Sequence, residues 1–329
     1  MNKLILRLTI LLVFIIQNLK GQQIFTKNIM LMGSDFEITI VDNDQANAEN
    51  MINIAIEEIS RIEKLISSWD KNSQTSLINI NAGVKPVKID VELFELISRS
   101  IKVSNLSQGA FDISYASMDK VWYFDRKMTE FPSIEQIKKS VSKIGYKNIV
   151  LNKEDSTVFL KLKGMKIGFG AIGKGYAADR AKEILKKNNV KSGIINASGD
   201  LTAWGLKPSG KDWMVAIVNP INKNKVFSWL PIKNRSVVTS GNYEKFINLD
   251  GKKYSHIIDP RTGYPSEGIL SVTIITDKAE LADALATSVF VLGVDIGLNM
   301  INQLNGVDCI IIDNNNKIIK SRNIEINDV

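Results

Sequence analysis

GFGAIGKGYAADRAKEIL, residues Gly168–Leu185, carries two nucleotide-binding patterns at once, and choosing between them decides the fold. Its glycines Gly168, Gly170 and Gly173 spell G-x-G-x-x-G ahead of a helical pattern, the fingerprint of a dinucleotide-binding βαβ unit. That unit also needs an acid roughly 20 residues further on to hold a ribose, and the stretch Lys186–Ser192 has none. The same letters read G-x-x-x-x-G-K from Gly168 to Lys174. This is a P-loop up to its last position, where Gly175 replaces the Ser or Thr that would ligate magnesium. Both patterns fail their own cross-check. What survives is chemistry: glycines admit a ligand close to the backbone, the following helix offers free N–H groups, and Lys174 adds positive charge, a combination suited to a phosphate. The alternative is a glycine turn that packs a helix on a sheet.

Around this loop, helical and strand patterns interleave. Ile52, Ile56, Ile59, Ile62 and Ile66 recur every three or four positions and predict an amphipathic helix from about Gln45 to Ser67. A second helix is predicted over Val91–Leu106. A third opens at Ser133, with Gln136 at capping-box spacing, and buries Ile134, Ile137, Val141 and Ile144. Alternation at Val158, Leu160 and Leu162, a Lys163-Gly164 turn and Met165–Ile167 predict a hairpin. Further β-runs are Gly193–Asn196, Trp213–Val218, Ser236–Thr239, Tyr254–Ile258 and Leu270–Thr276. Many of these strands are separated only by turns. The expected class is therefore α+β, with mixed, largely antiparallel sheets and packed helices, and not a pure parallel sheet.

Composition narrows the chemistry. With 44% hydrophobic and 23% charged residues in 329, the chain is long and apolar enough to build one large or two ordinary cores, which excludes a disordered or low-complexity protein. A single cysteine, Cys309, rules out an internal disulfide framework and Cys-rich metal sites, and a single histidine, His256, rules out multi-histidine ones. Net charge is +7, or +4 without Lys3, Arg7 and Lys20, too small an excess to point to nucleic acid.

At the start, Lys3 and Arg7 precede an apolar run from Leu8 to Ile16 and then polar residues from Gln17, the plan of a secretory signal ending near Gly21. The run falls short of the ~20 apolar residues of a comfortable span, and an uncleaved N-terminal anchor is the alternative. No cysteine follows it, so a lipoprotein is not expected. Residues 1–21 are thus read as a signal and 22–329 as the working domain, exported to a periplasmic or envelope-facing compartment where a lone thiol has nothing to mispair with.

Two further features carry chemistry. In Leu281–Val294, LADALATSVFVLGV, the only charge is Asp283, and none of its i±3 or i±4 neighbours is a cation. A buried, unpaired carboxylate is costly or shifts its pKa. Thr287, four residues on, projects from the same face, so the two could place a carboxylate and a hydroxyl on one hard cation such as Mg²⁺; the alternative is a long-range pair with Lys or Arg. His256 ends a β-run beside the turn that begins at Asp259-Pro260, a location that functional residues favour, although a lone histidine is often structural.

These segments, in this order, resemble the ApbE family of FAD:protein FMN transferases. The resemblance runs from Met32 to about Gly293 through MGS at Met32, SSWDKNSQTSLININ at Ser67, GAFDIS at Gly109, GKGYAADRA at Gly173, INASGD at Ile195, TSGNY at Thr239, HIIDPRTGYP at His256 and ADALATSVFVLG at Ala282. It implies an α+β fold with two intertwined lobes and a flavin-binding groove between them. By position it implies FAD contacts at Met32, Trp69, Ala110, Phe111, Asp112 and Ile258, with Lys174 near the phosphates and Mg²⁺ at the Ala171 carbonyl, Asp283 and Thr287. Trp69 stands where Tyr is frequent, Gln74 where Glu is common, and Gly168 where the family often has Asp, a departure that removes one FAD contact.

The activity so implied is Mg²⁺-dependent transfer of FMN from FAD to a Thr or Ser hydroxyl of an acceptor flavoprotein, such as a subunit of a membrane redox complex, with release of AMP. His256 is the expected general base, because an imidazole titrates near ~6.5, with Asp259 orienting it or acting in its place. Alternatives are a metal-dependent FAD pyrophosphatase and an FAD-binding protein without chemistry.

Overall fold

The structure is a computed structural model describing residues 21–218, 226–242, 245–322 and 324. The expected signal lies outside these residues except for Gly21.

Strands β1 (Gln23–Leu31) and β2 (Ser34–Asp42) form a hairpin closed by Met32 and Gly33, both at positive φ. No sequence signal announced it, because tight hairpin turns normally carry Asn or Gly where Met32 stands. Helix α1 (Gln45–Ile66) follows, capped by the Asp44 carboxylate, which accepts the Asn47 N–H. It buries Ala48, Met51, Ile52, Ala55, Ile59, Ile62 and Ile66 along one stripe. After α2 (Gln74–Ile80) and β3 (Val87–Lys88), α3 covers Val91–Leu106, the range predicted from periodicity. Helix α4 is short, Ile134–Ser140, and both capping-box bonds between Ser133 and Gln136 are present. It buries Ile137 but leaves Ile134 exposed, and it stops before Val141.

The hairpin expected over residues 158–167 is corrected. Strand β5 (Thr157–Leu160) pairs backward with β4 (Ile149–Asn152), and Met165–Ile167 is extended without a strand partner. Side chains replace the missing ladder. Asn79 bonds both the N–H and the carbonyl of Ile167, and the Ser117 hydroxyl does the same for Lys166.

Beyond the glycine loop come α5 (Gly173–Lys187), β6 (Gly193–Ala197), β7 (Asp200–Trp204), β8 (Trp213–Val218), β9 (Val226–Ile232), β10 (Ser236–Gly241), β11 (Phe246–Leu249), β12 (Lys252–Ser255), β13 (Ile269–Thr276), α6 (Ala279–Leu292), α7 (Val294–Ile301), β14 (Asp308–Asp313) and β15 (Ile318–Lys320). The β-run expected over Tyr254–Ile258 ends at Ser255, because Ile258 pairs only with Pro265 across a turn. Gly293, at φ 81°, breaks the last helical pattern into α6 and α7.

Eight strands form the main sheet in the order β1-β2-β6-β7-β10-β13-β14-β15, so strand order follows chain order and each neighbour is antiparallel. The α+β class holds, and it excludes the parallel sheet that a Rossmann or P-loop reading would require. Helices α1, α5 and α6 bury one face, with Phe36, Ile38, Ile195, Val272, Ala282 and Phe290 in the large core. The β8–β9 hairpin covers the other face through Trp213, Ile217, Leu230 and Ile232. A third cluster, Trp122, Ile137, Ile247, Leu249 and Ile258, makes a small lobe beside the sheet.

Gly193 lies where two strands and an indole converge: a Cβ there would come 2.5 Å from the Thr39 carbonyl oxygen and 2.7 Å from the Trp204 ring. Gly193→Ala should therefore destabilise the protein by about 2 kcal/mol or more, as overpacking does, which urea unfolding will measure.

Candidate active site

A cleft of about 470 Å³ opens between the main sheet and the small lobe. Its walls come from Ser68-Trp69, the turn Ala110–Ala116, the glycine loop Gly168–Ala171, the first turn of α5, Asp200 of β7, Thr239–Gly241 of β10, His256–Ile258, and one face of α6.

Asp283 and Thr287 both line the cleft from α6, one turn apart. Asp283 is 5% exposed, and its Oδ2 accepts the Gly175 N–H at 3.3 Å. That bond depends on glycine. A Cβ at Gly175 would lie 2.2 Å from the Ala279 carbonyl oxygen, so only a residue without a side chain lets α5 approach α6 this closely.

Next to Asp283 is Asp200, whose Oδ2 pairs with Lys174 Nζ at 2.9 Å. Burial, and then repulsion from Asp200, push the Asp283 pKa well above the usual carboxylate range, against the pull of Lys174 and the Gly175 N–H. The long-range cation considered for Asp283 is thus present as Lys174, but it pairs with Asp200, which the sequence reading did not single out. Ala171 also lines the cleft. Among the described residues no three His, Cys, Asp or Glu side chains gather into a metal site. The cleft residues Asp283, Thr287 and Ala171 carry instead a mixed set of oxygens: a carboxylate, a hydroxyl and a main-chain carbonyl. A hard cation accepts such donors, and here it would relieve an excess of negative charge.

His256 reaches the cleft from the other side. Its Nδ1 lies 3.0 Å from the Lys245 carbonyl oxygen, which only accepts, so Nδ1 carries the proton and Nε2 is the basic nitrogen of the neutral ring. The Phe124 ring meets the imidazole edge-on, with centroids 6.4 Å apart. Asp259 does not orient His256 through any of its hydrogen bonds. Both of its oxygens are taken by Arg261, at 2.9 and 2.8 Å.

The remaining expected positions are distributed as follows. Trp69 stands at the rim, 92% exposed, on a turn held by the Ser67 hydroxyl, which accepts the N–H groups of Trp69 and Asp70. Ala110, Phe111 and Asp112 form the buried wall. The Asp112 carboxylate is used internally: Oδ1 accepts the Ser114 N–H and hydroxyl, and Oδ2 accepts the Tyr146 N–H. Burial raises its pKa and these bonds oppose the rise. Ile258 is buried beside His256. Met32 does not line the cleft but sits at φ 52° with its methyl beside Gly173, next to Lys174. Gly168 packs on Ala116, where a Cβ would come within 3.1 Å. Gln74 exchanges two hydrogen bonds with Asp90, a place where Glu would set two carboxylates in contact. Asp200 and Thr239–Gly241 belong to segments quoted above, INASGD and TSGNY, and those segments were the signal that could have flagged them.

The described chain has the fold of known flavin transferase structures. It superimposes on the ApbE protein of Thermotoga maritima with a TM-score of 0.83 at 31% identity, covering 91% of this chain and 97% of that one. The flavinyl transferase ApbE of Pseudomonas stutzeri, in its apo form, shares the fold with a TM-score of 0.82 at 24% identity, covering 93% and 96%. The chain belongs to the ApbE family, whose model matches residues 32–311. A relative from Klebsiella pneumoniae named FAD:protein FMN transferase is 30% identical over 305 residues, 92% of this chain and 93% of its own. One of the same name from Treponema pallidum is 31% identical over 280 residues, 79% of this chain and 77% of its own.

Removing Lys174 from beside the Asp200–Asp283 pair tests the electrostatics. Lys174→Met should melt well below the parent at pH 8, and the gap should narrow toward pH 5. The reason is that Asp283, whose raised pKa favours the protonated form, loses stability as pH rises through that pKa. Melting curves across this pH range will show it.

Proposed function

We propose that this chain is an FAD:protein FMN transferase, joining the FMN moiety of FAD through a phosphoester bond to a Thr or Ser hydroxyl of an acceptor flavoprotein and releasing AMP. The observation that carries the proposal is that a single cleft is lined by Asp283, Thr287, Ala171, Lys174 and His256, oxygen donors and a cation on one side and a base on the other. The names of the relatives support the same reading.

Transfer of this kind asks a protein for positioning and charge neutralisation. Asp283, Thr287 and the Ala171 carbonyl would hold Mg²⁺, which when bound offsets pyrophosphate charge. Lys174 supplies a second positive charge from the start of α5. Trp69 offers an aromatic face for a ring, Ala110–Asp112 and Ile258 shape the nucleotide's seat, and Met32 supports it from behind, packed against Gly173. The acceptor hydroxyl oxygen bonds to the FMN-side phosphorus while its proton passes to His256 Nε2. The bond to the AMP-side oxygen breaks, and AMP leaves with that electron pair. Residues 22–329 would act as one unit behind an export signal, in an envelope compartment where acceptor subunits of membrane redox complexes are reachable.

Incubating the protein with FAD, Mg²⁺ and a candidate acceptor should yield flavinylated acceptor by mass spectrometry. Free FMN with AMP would instead mark a pyrophosphatase, and unchanged FAD a binding protein. Asp283→Ala should keep its fold yet lose transfer at limiting Mg²⁺; wild-type rates under that condition would remove Asp283 from the cation. His256→Asn should bind FAD nearly normally while its single-turnover rate falls by about 10² or more, the usual loss for a general base. A near-normal rate would exclude His256 as the base.

A further inference from the structure

We infer that Asp179 is a positioning residue of the cleft: from α5 it caps the first turn of α6 and so sets where Asp283 is presented, an inference that rests on reading Asp283 as a cation ligand.

Helix α6 begins without a local cap. Lys278, at its N-cap position, makes no side-chain cap bond, so the free N–H groups of the first turn need an acceptor from elsewhere. Asp179 provides it, with Oδ2 accepting the Glu280 N–H at 3.0 Å. Gly175 and Asp179 lie one turn apart on α5 and both meet this same turn of α6, because the missing Cβ of Gly175 lets the Ala279 carbonyl in. The two helices are thus joined at two points. Gly175 donates to Asp283, and Asp179 accepts from the turn that immediately precedes Asp283. One cleft wall, carrying Lys174 on α5 and Asp283 and Thr287 on α6, is assembled by this pair of contacts.

Stability alone does not account for the choice of carboxylate. Asp179 is 4% exposed, and its Oδ1 has no hydrogen-bond partner among the described residues. The cations nearest to it are committed: Lys182 donates to Thr202 and Lys278 pairs with Glu183. Glu280 itself pairs with Arg99. Burial pushes the Asp179 pKa up to about 6, so its ionised form costs stability above that pH. A charge kept where it weakens the fold serves the alignment of α6, through its attraction to the positive end of that helix.

The full chain, Asp179→Ala and Asp179→Asn are compared by amide hydrogen exchange without metal, by Mg²⁺ titration of FMN transfer, and by melting at pH 4 and pH 7. In the metal-free Ala variant the amides of residues 279–283 should exchange about fivefold faster or more, with the sheet amides unchanged. Its half-saturating Mg²⁺ should rise by about fivefold or more while kcat at saturating Mg²⁺ stays within about twofold. The Asn variant, whose amide oxygen can accept the same N–H, should recover both. Its melting temperature should also gain on the wild type as pH rises from 4 to 7, since the raised pKa of Asp179 favours the wild type only at low pH. Wild-type Mg²⁺ dependence and wild-type exchange in the Ala variant would overturn the inference, as would uniform destabilisation of the whole chain with Mg²⁺ dependence intact. If the wild type shows no Mg²⁺ dependence, the cation reading fails, and the exchange experiment still decides whether Asp179 caps α6.

Discussion

The close crossing of α5 and α6 at Gly175 is the constraint on which the rest of the cleft depends. Because no side chain separates the helices there, a backbone N–H from the first turn of α5 reaches a carboxylate buried in α6, and the residue just before it, Lys174, is carried to Asp200 at the start of the interior strand β7. The glycine-rich loop therefore works as a spacer for helix packing as much as a cradle for phosphate. The two roles, left as alternatives by the pattern of letters, are compatible because the glycines that admit a neighbouring helix leave the loop backbone open to a ligand.

Charge in this corner is deliberately unbalanced. Among the described residues Asp200 and Asp283 are set against the Lys174 ammonium, which leaves one negative charge in excess there when both carboxylates are ionised, and burial, followed by repulsion from Asp200, raises the Asp283 pKa. Proteins rarely leave such an excess buried without an external partner. A divalent cation together with a pyrophosphate would supply positive charge to the carboxylates and take up Lys174 in turn, which is why the electrostatics and the proposed substrate are consistent with each other.

Across the cleft, the small lobe performs a different task. Its aromatic cluster carries His256 on a turn rather than inside a strand, and the Lys245 carbonyl and the Phe124 ring set the tautomer and tilt of the imidazole. The extended segment before the glycine loop is likewise held by single side chains, Asn79 and Ser117, in place of a ladder. Such loops allow a cleft wall to be shaped locally, at the expense of being invisible to any periodicity.

What the amino-acid order determined by itself is what depends on near neighbours in the chain: the apolar stripes of α1 and α3, the capping box of α4, the shared Asp283-Thr287 face of α6, and the failure of both glycine patterns, which excluded a parallel nucleotide-binding sheet. Only the folded structure decided which partner each group meets. It drew Lys174 to Asp200, gave Asp259 to Arg261 instead of His256, paired β5 with β4, and turned a hairpin on Met32 at positive φ. Periodicity reports which face of an element avoids water. It carries no record of which distant group meets that face, because the choice is made by the packing of whole helices and strands and by the side chains small enough to let them approach.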